Sequence, residues 1–451
     1  MHPKASRQRG AIAIMVALTM LVLLGVAGLV IDGGLAYLVK ARLNAAVDSA
    51  ALAAARAVPQ GNNRAEQIAS AQAAADRFFA ANISSGYMLS QPRLLSTSVA
   101  FDAAGMVTID VRAEAPMPVS VMQVMGFSAL TPTAFAQTIR RDLDMAFVVD
   151  TSGSLQPSEN AVRASAKSFL NKFNVTQDRV SLIHFASGSE VDNPIKTVAR
   201  GFDRASMLTN VSAFNFKGGT ASVEGMWQAR EQLNGILPTN RSTLRVIVFF
   251  SDGEPTSLGS YLTFKTESPC SDIPGSFDLN GNGLYRLDIS ESTPISTECT
   301  PGKAIWNSAD KLPPWYNAHN SRSNKNDPDK HDFPIVTGTP RLVTADLSSD
   351  AIAKRNIDRA ARNLVEAVAN KARDENIIVF TLGMGASLKS ASGVDKETGE
   401  SILKCMANVA DGPSRCYNAN KPVGMYCYAA TEADLTPCFS RLASAILRIS
   451  K

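Results

Sequence analysis

The chain has 451 residues, enough for two or three domains, and its hydrophobic content of 45% is typical of a globular protein with buried cores. The formal net charge is +4, and the 45 basic residues are spread along the chain without the dense stripe that indicates nucleic-acid binding. The sequence also lacks a Gly-x-x-x-x-Gly-Lys-Ser/Thr loop, and Gly383-Met384-Gly385 is only a fragment of a dinucleotide fingerprint, so no nucleotide is predicted as a ligand.

Residues 11–31 form an apolar run without charged side chains. As a helix the run would extend roughly 31 Å, at about 1.5 Å per residue, which matches the hydrocarbon core of one bilayer. Basic residues within 1–10 precede it and Asp32 follows it, so the positive-inside rule predicts a cytoplasmic N-terminus and export of everything after Asp32. A cleaved secretory signal is the alternative, but the run is longer than a usual signal core and no clear small-x-small cleavage site follows. Residues 11–31 are therefore predicted to be a single transmembrane helix.

The helical pattern continues beyond the membrane to about Pro59, and residues 32–141 are predicted to form a small α+β module on this helix. Within the module we expect helices at 64–81 and 119–127 and strands at 94–101, 106–114 and 132–139, with a turn at 102–105.

From Asp144 onward, short runs rich in Val, Ile and Phe alternate with helical patterns. Such runs are typical of parallel strands buried on both faces, and the alternation predicts an α/β, doubly wound, mostly parallel sheet over residues 142–451, similar to a Rossmann fold. The expected strands are 145–149, 179–185, 245–250 and 377–382, and the expected helices are 158–173, 222–233, 349–374 and 432–449. Ligands of such sheets bind at the carboxyl ends of the strands.

Residues 256–347 interrupt the pattern with about 90 residues that show no clear periodicity, and we interpret them as an insertion with its own local fold.

All six cysteines follow residue 269 and none forms a Cys-x-x-Cys pair, so they are disulfide candidates and indicate an oxidising compartment, with reduced core cysteines as the alternative. We expect Cys270 with Cys299 to close the insertion, Cys416 with Cys427 to bridge a hairpin, and Cys405 with Cys438 to join two helices.

Three groups of polar residues stand where strands end or helices begin. Asp150, Ser152 and Ser154 follow the first strand, Thr220 ends a Gly-Gly-Thr turn before a helix, and Asp252 follows the strand at 245–250. The carboxyl ends of parallel strands meet at one edge of a sheet, so these five side chains are predicted to converge. Hydroxyl and carboxylate oxygens suit a hard divalent cation, Mg²⁺ in the first place and Mn²⁺ or Ca²⁺ as alternatives.

In these residues the chain resembles the von Willebrand factor type A (vWA) domain, with its metal-ion-dependent adhesion site. The Asp-x-Ser-x-Ser, Thr and Asp positions of that family match Asp150, Ser152, Ser154, Thr220 and Asp252. The resemblance implies that the two serines and the threonine contact the ion directly, that the acids act through water, and that an acidic group of a partner completes the shell. It covers residues 142–451 apart from the insertion.

The N-terminal part resembles the TadE/TadG-like segment of Tad (Flp) pilus-assembly proteins. The resemblance lies in Arg9-Gly10-Ala11, Ile31-Asp32-Gly33-Gly34 and the Ala-rich stretch 43–55 (LNAAVDSAALAAA). Followed by a vWA domain, it is the TadG-like arrangement. This implies a bacterial protein anchored in the inner membrane with its bulk in the periplasm or associated with the surface, and with pilus-assembly or envelope proteins as partners.

Three functions follow as hypotheses. The first is a membrane-anchored, non-enzymatic assembly or adhesion protein that holds a partner's acidic group through the metal. The second is a structural envelope-anchoring protein in which the metal only braces the loops. The third is a metal-dependent hydrolase, which the sequence disfavours because its four histidines are scattered and no catalytic arrangement is readable.

Two weaker patterns lie in the insertion. Asp278, Asn280 and Asn282, with Gly283 following, open like a calcium-binding loop, but Ile289 stands where such a loop carries Glu, and a polar turn is the preferred interpretation. His319 and His331 lack a surrounding ligand pattern and are expected to be solvent-exposed, whereas His184 is expected to be buried within its strand.

Overall fold

The computed structural model describes residues 9–58, 64–101, 107–140, 142–266, 270–271, 273–296, 305–325 and 332–449. They divide after Arg140 into two units. The predicted turn at 102–105, Cys299 and His331 lie outside these residues, and the predicted strand at 106–114 and the segment 256–347 lie partly outside them.

The first unit is built on a 49-residue helix, α1 (Arg9–Ala57), followed by α2 (Arg64–Asn82). Its strands are β1 (Arg93–Phe101), β2 (Val107–Glu114), β3 (Met117–Pro118), β4 (Ala129–Leu130) and β5 (Thr133–Arg140). β1, β2 and β5 form an antiparallel sheet in that order, and β3 pairs with β4. The small side chains of the second half of α1, such as Ala46 and Ala50, pack into the core of this unit, whereas its first half is exposed. Among the described residues, one helix is long and apolar enough to cross a membrane, and it is this one.

One element of the first unit was predicted wrongly. Residues 119–127 do not form an α-helix but a single 3₁₀ turn at Met122–Met125. Gly126 ends the turn because its φ of 89° is left-handed, which glycine adopts without strain.

The second unit carries the larger sheet. Its strands are β6 (Leu143–Asp150), β7 (Arg179–Phe185), β8 (Ser189–Asn193), β9 (Leu244–Ser251), β10 (Ser257–Tyr261), β11 (Thr263–Phe264), β12 (Pro274–Asp278), β13 (Gly283–Tyr285), β14 (Ala309–Lys311), β15 (Ile378–Met384), β16 (Ala391–Ser392), β17 (Glu397–Thr398) and β18 (Tyr426–Ala429). Six of these form one sheet in the order β18-β15-β9-β6-β7-β8. All neighbours in it run parallel except β7 and β8, so the prediction of an α/β, mostly parallel sheet is confirmed.

Helices cover both faces of this sheet. They are α3 (Glu159–Leu170), α4 (Arg204–Ala213), α5 (Ser222–Asn234), α6 (Asp350–Asp374), α7 (Gly399–Met406) and α8 (Glu432–Ile449). The side chains of α5 and α6 pack in one hydrophobic core, and those of α3 and α8 pack in a second one on the opposite face. Alternate residues of β6 enter each core, with Val148 in the first and Phe147 in the second, as expected for a strand buried on both sides.

The segment 256–347 contains two small antiparallel sheets, β10-β12-β13 and β11-β14. Its apolar side chains, among them Phe277 and Trp306, are buried in the same core as α5 and α6. The segment therefore extends the first core.

The cysteine pairing differs from the prediction. Cys405 is bonded to Cys416 and Cys427 to Cys438, each pair eleven residues apart in sequence. Cys405 lies in α7, near the loop that carries Cys416, and β18 places Cys427 beside the first turns of α8, which carries Cys438. Cys270 is also disulfide-bonded, whereas Cys299 lies outside the described residues, so the pairing of these two stays a prediction.

Candidate metal-binding site

The central strands bring the predicted acidic residues to one edge of the large sheet. Asp150 is the last residue of β6, and Asp252 follows directly after β9. The two strands are parallel neighbours, with Val149 opposite Phe250, so both strands end at the same level of the sheet. Both carboxylates consequently lie at the carboxyl edge, as the sequence predicted.

Asp150 is fully buried and is fixed by two donors. The backbone N–H of Ser152 donates to its Oδ1 at 2.8 Å, and the hydroxyl of Ser251 donates to its Oδ2 at 2.5 Å. The hydrogen bond from Ser152 closes the turn after β6, and that from Ser251 ties the turn to β9. Sequence analysis did not single out Ser251, although its position before Asp252 at the end of a buried strand could have indicated it.

The two serines of the first loop connect to the other acid. Ser154 donates its hydroxyl to Oδ1 of Asp252 at 3.0 Å, and the hydroxyl oxygens of Ser152 and Ser154 lie 3.1 Å apart. Either hydroxyl can be the donor in the serine pair. Four of the five predicted residues thus belong to one hydrogen-bonded network.

Thr220 lies in a loop that is bonded to the same turn, but through the backbone. The N–H of Gly153 donates to the carbonyl of Gly218 at 3.1 Å, and the N–H of Thr220 donates to the hydroxyl of Thr256 at 3.0 Å. Within the described residues, no hydrogen bond joins the Thr220 hydroxyl to the other four side chains. Gly218 of this loop has a φ of 108°, and a Cβ there would lie 2.8 Å from Oγ of Ser187, so the position favours glycine.

Both carboxyl groups are held in an environment that disfavours their charge. Burial raises the pKa of Asp150 to about 6, although hydrogen bonds from Ser152 and Ser251 oppose this shift. Burial and the neighbouring Asp150 raise the pKa of Asp252 to about 7. In the described part of the chain, neither acid forms a salt bridge with Lys or Arg. A bound cation would supply the missing positive charge, so the donor set and its electrostatics fit a divalent metal.

Further contacts support the loop that carries Asp252. Glu254 pairs with Arg362 of α6 and accepts a hydrogen bond from the hydroxyl of Ser392 in β16. Arg362 also bonds Asp358 of the same helix, with Nε 3.0 Å from Oδ1. The hydroxyl of Ser387 donates to the Asp252 carbonyl at 3.2 Å. These partners are distant in sequence and follow no motif, so sequence analysis missed them.

The possible calcium loop contains an internally bonded turn. The Asp278 carboxylate accepts hydrogen bonds from the N–H groups of Asn280 and Asn282 at 2.8 and 2.9 Å and from the Asn282 side-chain amide at 2.8 Å. Lys354 donates to Oδ1 of Asn280 at 3.3 Å. The polar-turn interpretation accounts for all of these contacts, and the calcium interpretation stays an untested alternative.

The histidines differ in their environment. His319 is not solvent-exposed as predicted, because its ring stacks on Trp227 at 3.6 Å between centroids and its Nε2 lies 2.7 Å from the buried carboxylate of Glu224. Tyr316 donates a hydrogen bond to the same carboxylate at 2.7 Å. His184 is buried, as predicted, and its Nδ1 lies 2.8 Å from Asp192.

Comparisons with known proteins agree with both resemblances. A family model described as putative Flp pilus-assembly TadE/G-like matches residues 10–57, and the model of the von Willebrand factor type A domain matches residues 144–270. Matrilin-3 of Gallus gallus is 31% identical over 126 residues, which is 26% of either chain. The present chain therefore spans about a quarter of the length of this curated relative.

Two of the solved structures to which this chain is similar come from pilus proteins. The pilus adhesin SpaC from Lactobacillus rhamnosus GG is 14% identical with a TM-score of 0.38, over 80% of this chain and 35% of SpaC. The vWF domain of the type V pili tip protein Mfa5 from Porphyromonas gingivalis is 14% identical with a TM-score of 0.37, over 70% of this chain and 98% of that domain. On the family models, this chain has the TadG-like arrangement, a TadE/G-like segment at its N-terminus followed by a von Willebrand factor type A domain.

Proposed function

We propose that this protein is a membrane-anchored pilus-assembly or adhesion protein whose vWA domain binds an acidic group of a partner through a divalent cation. The observation that carries the proposal is the network of Asp150, Ser152, Ser154 and Asp252, which holds two buried acids without a basic partner in the described part of the chain. Thr220 stands in the loop bonded to the same turn.

The donor set favours binding over hydrolysis. Serine and threonine hydroxyls are neutral, so a cation held by them keeps much of its positive charge and attracts a further carboxylate. Activation of a water for hydrolysis needs a nearby base, and in the described residues no histidine is hydrogen-bonded to any of the five site residues. The same proposal includes partners from the pilus-assembly or envelope machinery, which the TadE/G-like segment at 10–57 supports.

We also propose that the protein resides in the bacterial inner membrane, with 1–10 in the cytoplasm and the remainder after Asp32 in the periplasm. The exposed apolar half of α1 supports the anchor, and the bonds Cys405–Cys416 and Cys427–Cys438 support an oxidising compartment. Protease treatment of spheroplasts, which should digest the bulk of the chain only if it is periplasmic, tests this orientation.

Titration calorimetry of the full chain in nanodiscs with MgCl₂ tests the site. We expect Ser152→Ala and Ser154→Ala to weaken Mg²⁺ binding by at least about tenfold, because each removes an oxygen ligand. Ser212→Ala is the matched control, since Ser212 is an exposed serine of α4 that bonds only within its helix. Unchanged Mg²⁺ affinity in both site variants would contradict a metal site.

Partner capture separates adhesion from bracing. We expect the immobilised full chain to capture a partner from a detergent-solubilised membrane fraction in the presence of Mg²⁺. This capture should be lost in EDTA and in Ser154→Ala. If Mg²⁺ binds but capture is the same in EDTA and in the variant, the structural alternative, in which the metal only braces the loops, is correct.

A further inference from the structure

An uncharged turn of the first unit presents apolar side chains to its surroundings. We call residues 119–127 the apolar turn; they lie within a stretch, 115–139, that contains no charged residue. In the turn, the side chains of Met125 and Phe127 are 58% and 48% exposed. Water is an unfavourable surrounding for two such side chains so close together.

The turn lies beside the apolar run of α1. A Cβ at Gly25 would be 3.1 Å from Sδ of Met125, and a Cβ at Gly28 would be 3.1 Å from the backbone nitrogen of Met122. At about 1.5 Å per residue, Gly28 and Gly25 stand roughly 4.5 and 9 Å along the helix before Ile31. The contact therefore falls within the run predicted to cross the bilayer, near its exported end.

Five backbone N–H groups of the turn are paired within the protein. The carboxylate of Asp32 is 1% exposed and accepts hydrogen bonds from the N–H groups of Ser120, Val121 and Met122 at 3.1, 2.9 and 2.7 Å. Further along, the N–H groups of Gly126 and Phe127 donate to carbonyls of the turn itself. Backbone that enters an apolar medium must satisfy its N–H groups in this way.

We propose that the apolar turn inserts into the interface of the bilayer that α1 crosses, with Met125 and Phe127 in contact with lipid acyl chains. The partner of this surface is the bilayer, because the turn contacts α1 at Gly25 and Gly28, within the run that is surrounded by lipid when α1 crosses the membrane. Amphipathic elements of monotopic proteins lie about 5–10 Å into the same boundary. Asp32 ends the apolar run, and its carboxylate also accepts hydrogen bonds from the first N–H groups of the turn. The proposal rests on the proposed anchoring of the chain by α1.

Quenching of tryptophan fluorescence by brominated phosphatidylcholine tests the proposal in the full chain reconstituted in vesicles. Phe127→Trp reports on the turn, and Met125→Trp is a second reporter. The matched control is Phe78→Trp, because Phe78 is 49% exposed but lies on α2 beside Ser49 of α1, about 27 Å past Ile31 along the helix. Leu23→Trp, at a position 68% exposed in the apolar run, reports on the anchor. The fluorescence of the parent chain, which has tryptophans of its own, is subtracted from that of each variant.

We expect the bromolipid to reduce the added fluorescence of Phe127→Trp and Met125→Trp by at least about twofold and to leave Phe78→Trp unchanged. If Leu23→Trp is quenched while both turn reporters are not, the insertion is wrong and the anchor stands. If Leu23→Trp is not quenched either, the anchoring itself fails. Equal quenching of Phe127→Trp and Phe78→Trp would also overturn the proposal, since the contact would not be specific to the turn.

Discussion

At the scale of residues, the candidate site is set by two buried acids. Asp150 and Asp252 are held by serine hydroxyls and backbone N–H groups, and none of these donors carries a charge. The pKa of each acid is raised, Asp150 to about 6 and Asp252 to about 7, so without a cation protons occupy these groups at pH values where ordinary aspartates are ionised. Protons and a metal ion would therefore compete for the same oxygens.

This competition predicts the direction of a pH effect. The two neighbouring carboxyl groups take up protons as the pH falls through about 7 to 6, and these protons must leave before the cation binds. We expect the Mg²⁺ affinity, measured by calorimetry, to be at least about tenfold weaker at pH 5 than at pH 8. An affinity that is constant over this range would show that neither carboxylate takes part in binding. Mn²⁺ provides a second probe with the same expected sign.

At the scale of elements, Asp32 connects α1 to the apolar turn. Its carboxylate accepts three backbone hydrogen bonds while almost fully buried. We expect Asp32→Ala to leave these N–H groups unpaired and therefore to lower the free energy of unfolding. Asp48→Ala, at an exposed position of the same helix, should change it by less than about 0.5 kcal/mol.

Thermal unfolding compares the stability of the two variants, and hydrogen exchange locates the effect. In Asp32→Ala the amides of Ser120, Val121 and Met122 should exchange faster than in the parent chain, whereas amides of β2 should not. Equal protection of these three amides in the variant and the parent chain would rule out the hydrogen bonds described here.

The elements also show which parts of the fold a sequence can predict. Strands β6, β7, β9 and β15 are near-continuous apolar runs buried on both faces, and their pattern indicated them directly. The edge strand β8 reads Ser-Glu-Val-Asp-Asn and has no such pattern, so it was missed, together with its antiparallel direction.

The candidate site could likewise be predicted only where its residues follow a local pattern. Asp150 and Asp252 follow apolar strands, so topology alone brings them together, and local spacing adds Ser152 and Ser154. Arg362 and Ser392 hold the loop of Asp252 by contacting Glu254. Both lie more than 100 positions after Glu254 in the sequence, so no local pattern indicates these contacts. The cysteine pairing failed for a related reason, since it depends on α7 and β18, neither of which was predicted.

At the scale of the whole molecule, the disulfides and the anchor point to one compartment. The bonds Cys405–Cys416 and Cys427–Cys438 lie in the second unit, and the apolar run of α1 lies in the first. A chain with a cytoplasmic N-terminus that crosses the membrane once exports the second unit, and disulfides persist on the exported side. The proposed orientation therefore predicts that these cysteines are oxidised in the native protein.

This agreement predicts the chemical state of the native protein. Non-reducing peptide mapping of the chain purified from membranes should recover Cys405 with Cys416 and Cys427 with Cys438. The double variant Cys427→Ser/Cys438→Ser should be less stable to unfolding by about 2–4 kcal/mol, because the bond closes a short loop in the unfolded chain. The difference in stability should disappear when the parent chain and the variant are both measured after reduction. Free thiols at these positions in the membrane-derived protein would contradict both the pairing and the periplasmic orientation. A bond between Cys416 and Cys427 would contradict both described bonds but not the orientation.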